Sequence, residues 1–382
     1  MVAELSFTIF SYLGVWRPET WTSKWSIRVY NIYNFFILTF EYYYAFTFLI
    51  SLFQNIHIAG VRLQNLFFFS SIFLLAFKVT YVGVYREEII FFKNMFLEKK
   101  CLPRNKEERK IVKTLIDKER FNSRIFVLFA LLTSTLYTLL PLTSKEINSL
   151  PYECWIPFNV STGAKFWGVY LYECISIYLA TLLFASMETL PSIMMQQICI
   201  QLEILIYRIL EIPKLRNKYI HSKLNVYQEE YRLLKECINH HDFIFLMEHQ
   251  LNKIFGLLIC VQFFVSTINL CISGFYITSV NFNNAYFWVA LVNLSTFIFQ
   301  IFLQCFFGEL MTRKSLSIAD EIYKMDWSLL NIRSKQKLII IMMRSNRPMQ
   351  LNGFSLLTMS IETFCKILKT SYSCFNLIRN IN

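Results

Sequence analysis

The residues whose types could do chemistry are three histidines and a few charges set among apolar neighbours. His240, His241 and His249 stand near Asp242 and Glu248, all side chains that can ligate a metal ion. They do not form the His-Glu-x-x-His pattern, in which two histidines at i and i+4 share one helical face. We therefore read them as the solvated face of a helix and expect no metal. No phosphate-cradling glycine loop, nucleophile elbow or paired-carboxylate motif occurs elsewhere, so no catalytic residue and no cofactor is expected and enzyme chemistry is set aside.

Charges inside apolar runs carry more information, because each is costly in hydrocarbon unless it faces protein or water. Glu41, Lys78 and Glu173 lie in such runs. Either they line a polar cavity or ion path, or they serve as helix-to-helix hydrogen bonds and, for Lys78, a snorkelling amine. The stretch "FSLLTMSIETFCKILKTSYSCF" (354–375) adds Glu362, Lys366 and Lys369 near its middle. Ser355, Thr358, Glu362, Lys366, Lys369, Ser373 and Asn376 follow one another at steps of three or four, which makes a single polar stripe on a helix. Glu362 and Lys366 at i,i+4 partly neutralise each other. Continued by fours from Ser373, the stripe reaches Leu377 and Ile381. A wet face that ends in an aliphatic constriction suits a pore that closes by dewetting; the alternative is a polar stripe buried against other helices or subunits.

The elements that must position these residues are membrane helices. The chain has 382 residues, is 55% hydrophobic and 17% aromatic, and has a mean hydropathy of +0.40. Several nearly charge-free runs match the roughly 20 residues that cross a bilayer. The spacing predicts seven spans at about 33–53, 65–85, 125–144, 166–190, 254–278, 285–307 and 351–378. The segments 1–32, 86–124, 195–253 and 308–350 contain 31 of the 38 Lys and Arg, whereas 54–64, 145–165 and 279–284 hold only Arg62, Lys145 and Lys165. The positive-inside rule places the N-terminus in the cytoplasm and the C-terminus outside. The net charge of +12 thus belongs to membrane topology and not to nucleic acid. No cleaved signal is expected from the first 16 residues, which carry Glu4 and lack a basic start. Trp16, Trp21 and Trp25 predict an interfacial segment.

Asn159-Val160-Ser161 is a glycosylation sequon in a loop assigned outside, consistent with that orientation. Ten scattered cysteines give no disulfide framework, and most read as buried thiols. Segment 195–253 has apolar residues at helical spacing, so we expect spans four and five to continue below the membrane and pack together. The expected fold is therefore all-α: a polytopic seven-transmembrane bundle with cytoplasmic helical extensions. It is one domain, comprising an interfacial segment 1–32, helices one to six over 33–308, a cytoplasmic segment 309–350 and a last helix in 351–382. A cytoplasmic N-terminus excludes a G-protein-coupled receptor.

Aromatic and hydroxyl side chains gather in the outer halves of spans two to six: Phe68 and Ser71, Ser134 and Tyr137, Tyr170 with Ile175, Tyr276 and Trp288. If the spans bundle, these residues are the candidate wall of an apolar pocket with a few hydrogen-bonding tips, fit for a small volatile or lipid-like ligand. Ordinary bundle core and lipid contact is the alternative for each.

From Phe306 onward the chain resembles the C-terminal signature of insect odorant receptors. The matching pieces are Gly308-Glu309-Leu310, Ala319-Asp320-Glu321-Ile322-Tyr323, Asp326-Trp327, Met343-Arg344, Arg347-Pro348, Ser360 to Phe364 and Ser371-Tyr372-Ser373. Upstream, "GVWRPETW" and "LPYECWIPFNV" are similar to the family's N-terminal and second outer-loop patterns. Cys374 and Asn346 depart from the usual residues. The ending common in gustatory receptors is absent, and so is the long insert of the shared co-receptor. The resemblance implies an odorant-gated, non-selective cation channel in the plasma membrane of olfactory sensory neurons. It also implies a heterotetramer with the odorant co-receptor, an inter-subunit anchor from the cytoplasmic segments, and a pore lined by the second half of the last helix with Leu377 and Ile381 at its gate. A gustatory-type channel that works without the co-receptor is the alternative.

Overall fold

Long apolar runs leave backbone groups that lipid cannot satisfy, and a helix satisfies them internally. The computed structural model of the chain describes residues 4–55, 57, 59–143, 150–158, 160, 163–214, 223–282, 284–353 and 357–381. Its helices are α1 (Glu4–Tyr12), α2 (Lys24–Gln54), α3 (Ala59–Val84), α4 (Arg86–Met95), α5 (Lys106–Thr143), α6 (Ala164–Glu211), α7 (Lys223–Ser279), α8 (Ala285–Lys324), α9 (Ile332–Ser345) and α10 (Ile361–Ile381). Helices α2, α3, α5, α6, α7 and α8 are each long and apolar enough to cross a membrane. The α10 helix is amphipathic and forms the seventh member of the bundle.

Four helices, α5 to α8, far exceed a bilayer. The 57 residues of α7 correspond to roughly 85 Å and the 48 of α6 to roughly 72 Å, against about 30 Å of hydrocarbon. Their basic ends continue as a bundle with the end of α8 and with α9, as expected from segment 195–253. Its core is aliphatic: Ile198, Leu202 and Leu205 on α6, Leu234, Ile244 and Leu251 on α7, Met311 and Ile318 on α8, Leu338 on α9. In water each such side chain contributes about 1.5–3 kcal/mol on burial, which holds the extensions together outside lipid. The amphipathic α1 packs on α6.

The histidines belong to this bundle, which corrects the expectation of a solvated face. His240 and His241 are buried, and only His249 is exposed. His240 Nε2 lies 3.0 Å from Gln201 Oε1, and its Nδ1 lies 3.4 Å from Arg208 Nη1. Arg208 is itself buried, forked onto Glu108 at 3.0 and 2.9 Å and donating to the carbonyls of Lys100 and Leu102. Burial and the Arg208 charge hold His240 well below the usual histidine range, at about 3.

The start of the last span also differs from expectation. Residues 351–353 and 357–360 are not helical: β1 (Asn352–Gly353) pairs antiparallel with β2 (Leu357–Thr358), and α10 begins only at Ile361. This small hairpin is sewn to its neighbours. Asn352 N–H donates to Asn252 Oδ1 at 2.7 Å, Asn252 Nδ2 to the Gln350 carbonyl at 2.9 Å, and Thr312 Oγ1 to the Met349 carbonyl at 3.0 Å. Gly308 on α8 permits the closest approach, since a Cβ there would collide with the backbone oxygen of Met359. Apolar content hid the hairpin, because hydropathy alone does not separate strand from helix over ten residues.

Candidate functional site

The outer halves of α3, α5, α6 and α8 enclose a cavity of about 90 Å³. Roughly 10–15 Å³ on this measure holds one water, so a molecule of several heavy atoms fits. Phe67, Phe68, Tyr137, Phe184 and Phe297 supply an aromatic wall, and Ser71, Thr133, Ser134, Thr181, Asn293 and Thr296 supply polar tips. The rings brace one another. Phe67 meets Phe297 edge-on at 5.1 Å, and Phe68 meets Tyr137 at 5.7 Å. The tips are mostly spoken for: Ser134 donates to the Ala130 carbonyl and pairs with Thr181 at 2.6 Å, and Thr133 pairs with Thr296 at 3.0 Å.

Four of the eight sequence candidates, Phe68, Ser71, Ser134 and Tyr137, stand on this wall. Tyr276 lines a smaller cavity of about 20 Å³ that shares Phe67, Phe68, Tyr137 and Asn293 with the first. Tyr170 is buried but lines neither cavity, its hydroxyl donating to the Thr138 carbonyl. Ile175 and Trp288 face outward instead, 56% and 59% exposed, and do not line either cavity. Asn159 lies outside the described residues.

The sequence missed the cavity's roof. Tyr152, from the loop between α5 and α6, closes the cavity and is only 1% exposed. Its ring stacks on Tyr137 at 5.7 Å and meets Phe68 edge-on at 4.8 Å. Glu173 clasps the loop, accepting from Tyr152 N–H at 3.2 Å and from the Cys154 thiol at 3.3 Å. Ser51 and Thr47 of α2 hold the same loop through the Glu153 carbonyl (2.6 Å) and Trp155 N–H (3.1 Å). Glu173 therefore ties its helix to a loop, where the sequence reading offered a polar cavity or a helix-to-helix hydrogen bond. Lys78 does not snorkel: it pairs inside the bundle with Glu188 of α6, which also accepts from Gln304 of α8 at 2.6 Å. Glu41 is buried with neither carboxylate oxygen partnered, and it lines none of these cavities.

The polar stripe of the last helix is shorter than expected. Thr358 sits on β2 and Ser355 lies outside the described residues, but Glu362, Lys366, Lys369, Ser373 and Leu377 share one exposed face of α10. Glu362 and Lys366 bridge at 2.6 Å. Ile381 ends the helix. The opposite face, Thr363, Ile367 and Ser371, is buried, with Ser371 Oγ donating to the Thr267 carbonyl of α7 at 3.2 Å.

A bundle with six apolar spans, an amphipathic seventh helix and an aromatic-walled cavity describes a polytopic helical membrane protein. The chain belongs to the 7tm Odorant receptor family, whose profile matches residues 58–372. Among its relatives in Drosophila melanogaster, Putative odorant receptor 85d is 25% identical over 239 residues, 61% of this chain and 54% of that protein. Odorant receptor 46a, isoform A, is 23% identical over 246 residues, 64% of this chain and 63% of that protein. The chain thus spans less than two thirds of the length of these relatives. Its fold matches the insect olfactory receptor OR5 from Machilis hrabei, solved in complex with eugenol. The TM-score is 0.83 at 15% identity, covering 100% of this chain and 98% of that one.

Proposed function

We propose that the chain is the odorant-binding subunit of an odorant-gated, non-selective cation channel. A small volatile ligand occupies the cavity under Tyr152, and the exposed face of α10 lines a central pore narrowed by Leu377 and Ile381. The subunit assembles with the odorant co-receptor as a heterotetramer, through the bundle at its basic end, in the plasma membrane of olfactory sensory neurons. The observation that carries this reading is the hydrogen-bonded route from cavity wall to last helix. Ser71 accepts from Asn269 of α7 at 3.0 Å, and two residues away the Thr267 carbonyl holds Ser371 of α10. A second support is α8, which presents Thr296 and Phe297 to the cavity and sets Phe302 against Phe364 of α10 at 5.6 Å. The related receptor of the same fold holds eugenol, itself a small aromatic volatile.

Ligand binding shifts the channel only if the cavity has a different affinity for ligand in the open and closed states. Repacking of the aromatic wall moves α7 and α8 relative to α10, and the Leu377 end of α10 leaves the pore axis. The test is current evoked by an odorant panel in cells that express this chain with the co-receptor, under G-protein block. Current is expected with both subunits and not with either the co-receptor or this chain alone. Silence across a broad panel overturns the reading, and current from this chain alone favours the gustatory-type channel.

A further inference from the structure

We propose that the first turns of α2 are a binding surface for an anionic phospholipid of the cytoplasmic leaflet. Lys24 and Arg28 take its headgroup phosphate, Asn31 its ester carbonyls, and the apolar side chains beyond them one acyl chain.

Other cations near this end have partners. Lys93 pairs with Glu19 at 2.6 Å and Arg86 with Glu87 at 3.0 Å. Lys24 and Arg28 are exposed and have no carboxylate partner among the described residues. They stand at i and i+4, where like charges repel, and no acidic residue in the first turn of α2 offsets them. Water satisfies an exposed cation, so this alone marks no ligand.

Register supplies the rest. Lys24, Arg28, Asn31 and Phe35 follow one another at steps of four, three and four, which puts them on one face of α2. Phe35 is exposed, as are Val29, Ile32 and Phe36 beside it, and an outward apolar face on a spanning helix meets acyl chains. Trp25 is exposed too, and rings of its kind settle at headgroup depth. Arg28 lies over that ring at 5.7 Å, so its charge sits at the same depth. Asn31 is exposed about 4.5 Å further along the helix. An amide is out of place against hydrocarbon, but its N–H groups suit the ester carbonyls that lie just below a phosphate. Read inward from its end, the face presents cation, cation, amide and ring, the order that matches the groups along a phospholipid.

Charge decides which lipid. The positive-inside orientation sets this end against the cytoplasmic leaflet, whose anionic lipids attract juxtamembrane Lys and Arg. A zwitterionic lipid has the same phosphate and esters but a cation of its own beside the phosphate. It gains less from two bare cations.

The test uses the purified full-length chain in a non-ionic detergent. Dioctanoyl phosphatidylserine or dioctanoyl phosphatidylcholine is titrated in while the unfolding midpoint is read. The serine lipid should raise the midpoint at roughly 30-fold lower concentration than the choline lipid. Lys24→Gln with Arg28→Gln should bring that ratio close to one and keep the choline response. Lys110→Gln with Lys113→Gln removes the same charge from exposed positions on α5, roughly 18–22 Å before the predicted span at 125, and should leave the ratio unchanged. Equal sensitivity to both lipids in the unsubstituted chain overturns the proposal, whether or not the variants fold. So does a ratio that survives Lys24→Gln with Arg28→Gln, or one that the α5 control abolishes equally. Inorganic phosphate acting as well as the serine lipid would also overturn it, because the surface would then hold an ion and no lipid.

Discussion

Asn269 of α7 is hydrogen-bonded through its amide nitrogen to Ser71 and through its oxygen to Ser70, at 3.0 and 2.6 Å. One side chain thus ties two successive residues of α3 to the helix that holds α10. Asn269→Leu removes both bonds and leaves Ser71 on the cavity wall without its partner, whereas Ser70 keeps the Phe67 carbonyl at 3.0 Å. Losses of this kind cost about 1–3 kcal/mol. The half-maximal odorant concentration should rise by roughly 5- to 100-fold, or the maximal current fall, at unchanged surface expression. A dose–response series normalised to surface label measures it. An unaltered curve would remove Asn269 from the coupling route.

The Lys78–Glu188–Gln304 cluster makes an asymmetric prediction. Lys78→Met leaves a buried carboxylate without its cation, which costs about 3–5 kcal/mol. Lys78→Met with Glu188→Leu removes both charges and should recover most of that loss. Unfolding midpoints in detergent for the single and double variants decide the point, and a double variant no better than the single would show that the pair does not act as a unit.

Gly308→Ala is expected to cost about 1–3 kcal/mol through overpacking, because the obstacle is the Met359 backbone and not a flexible side-chain tip. The hairpin must shift, and α10 with it. Reduced surface expression and a raised basal current are the expected outcomes, read by surface labelling and whole-cell recording.

His240 gives the basic-end bundle an acid sensitivity. Its folded pKa of about 3 lies below the ordinary 6.5. The unfolded chain therefore binds the proton first as pH falls. The stabilisation is complete above pH 6.5 and is lost progressively toward pH 3. Arg208, Arg104, Lys100 and His241 all oppose the charge. Between pH 7.5 and pH 5 the contribution lost is ~2 kcal/mol. His240→Gln should flatten that part of the curve of unfolding midpoint against pH; equal slopes in both proteins would refute it.

Leu377→Ser tests the constriction. The side chain is 63% exposed in the isolated chain, so the substitution disturbs no packing within the subunit. A hydroxyl in a dewetting gate favours water. Conductance without odorant should rise severalfold when the subunit is expressed with the co-receptor, and an unchanged leak would place the gate elsewhere.

Spans were legible because hydropathy depends on the run and not on its neighbours. The prediction of 65–85 and 125–144 falls on α3 and the outer part of α5. Facing was less legible. Ile175 is exposed while adjacent Ser176 is buried, and only the packing of α6 decides which of the two turns inward. Glu188 went unremarked because its partner Lys78 is 110 residues away. Tyr152 lies in a loop, and nothing local in its sequence says that Glu173 draws that loop over the cavity. His240 reads as solvated because Asn239 and Asp242 flank it, whereas the Gln201 and Arg208 that cover it lie on α6, 39 and 32 residues away.

The hairpin at the foot of α10 has a mechanical corollary. A rod clamped at one end sweeps furthest at its free tip. From Ile361 to Leu377 the rod measures roughly 24 Å, so a swing of about 5° at the clamp carries Leu377 sideways by ~2 Å while hardly displacing Glu362. In the proposed pore, little work at the anchored end therefore suffices for a large change in aperture at the other.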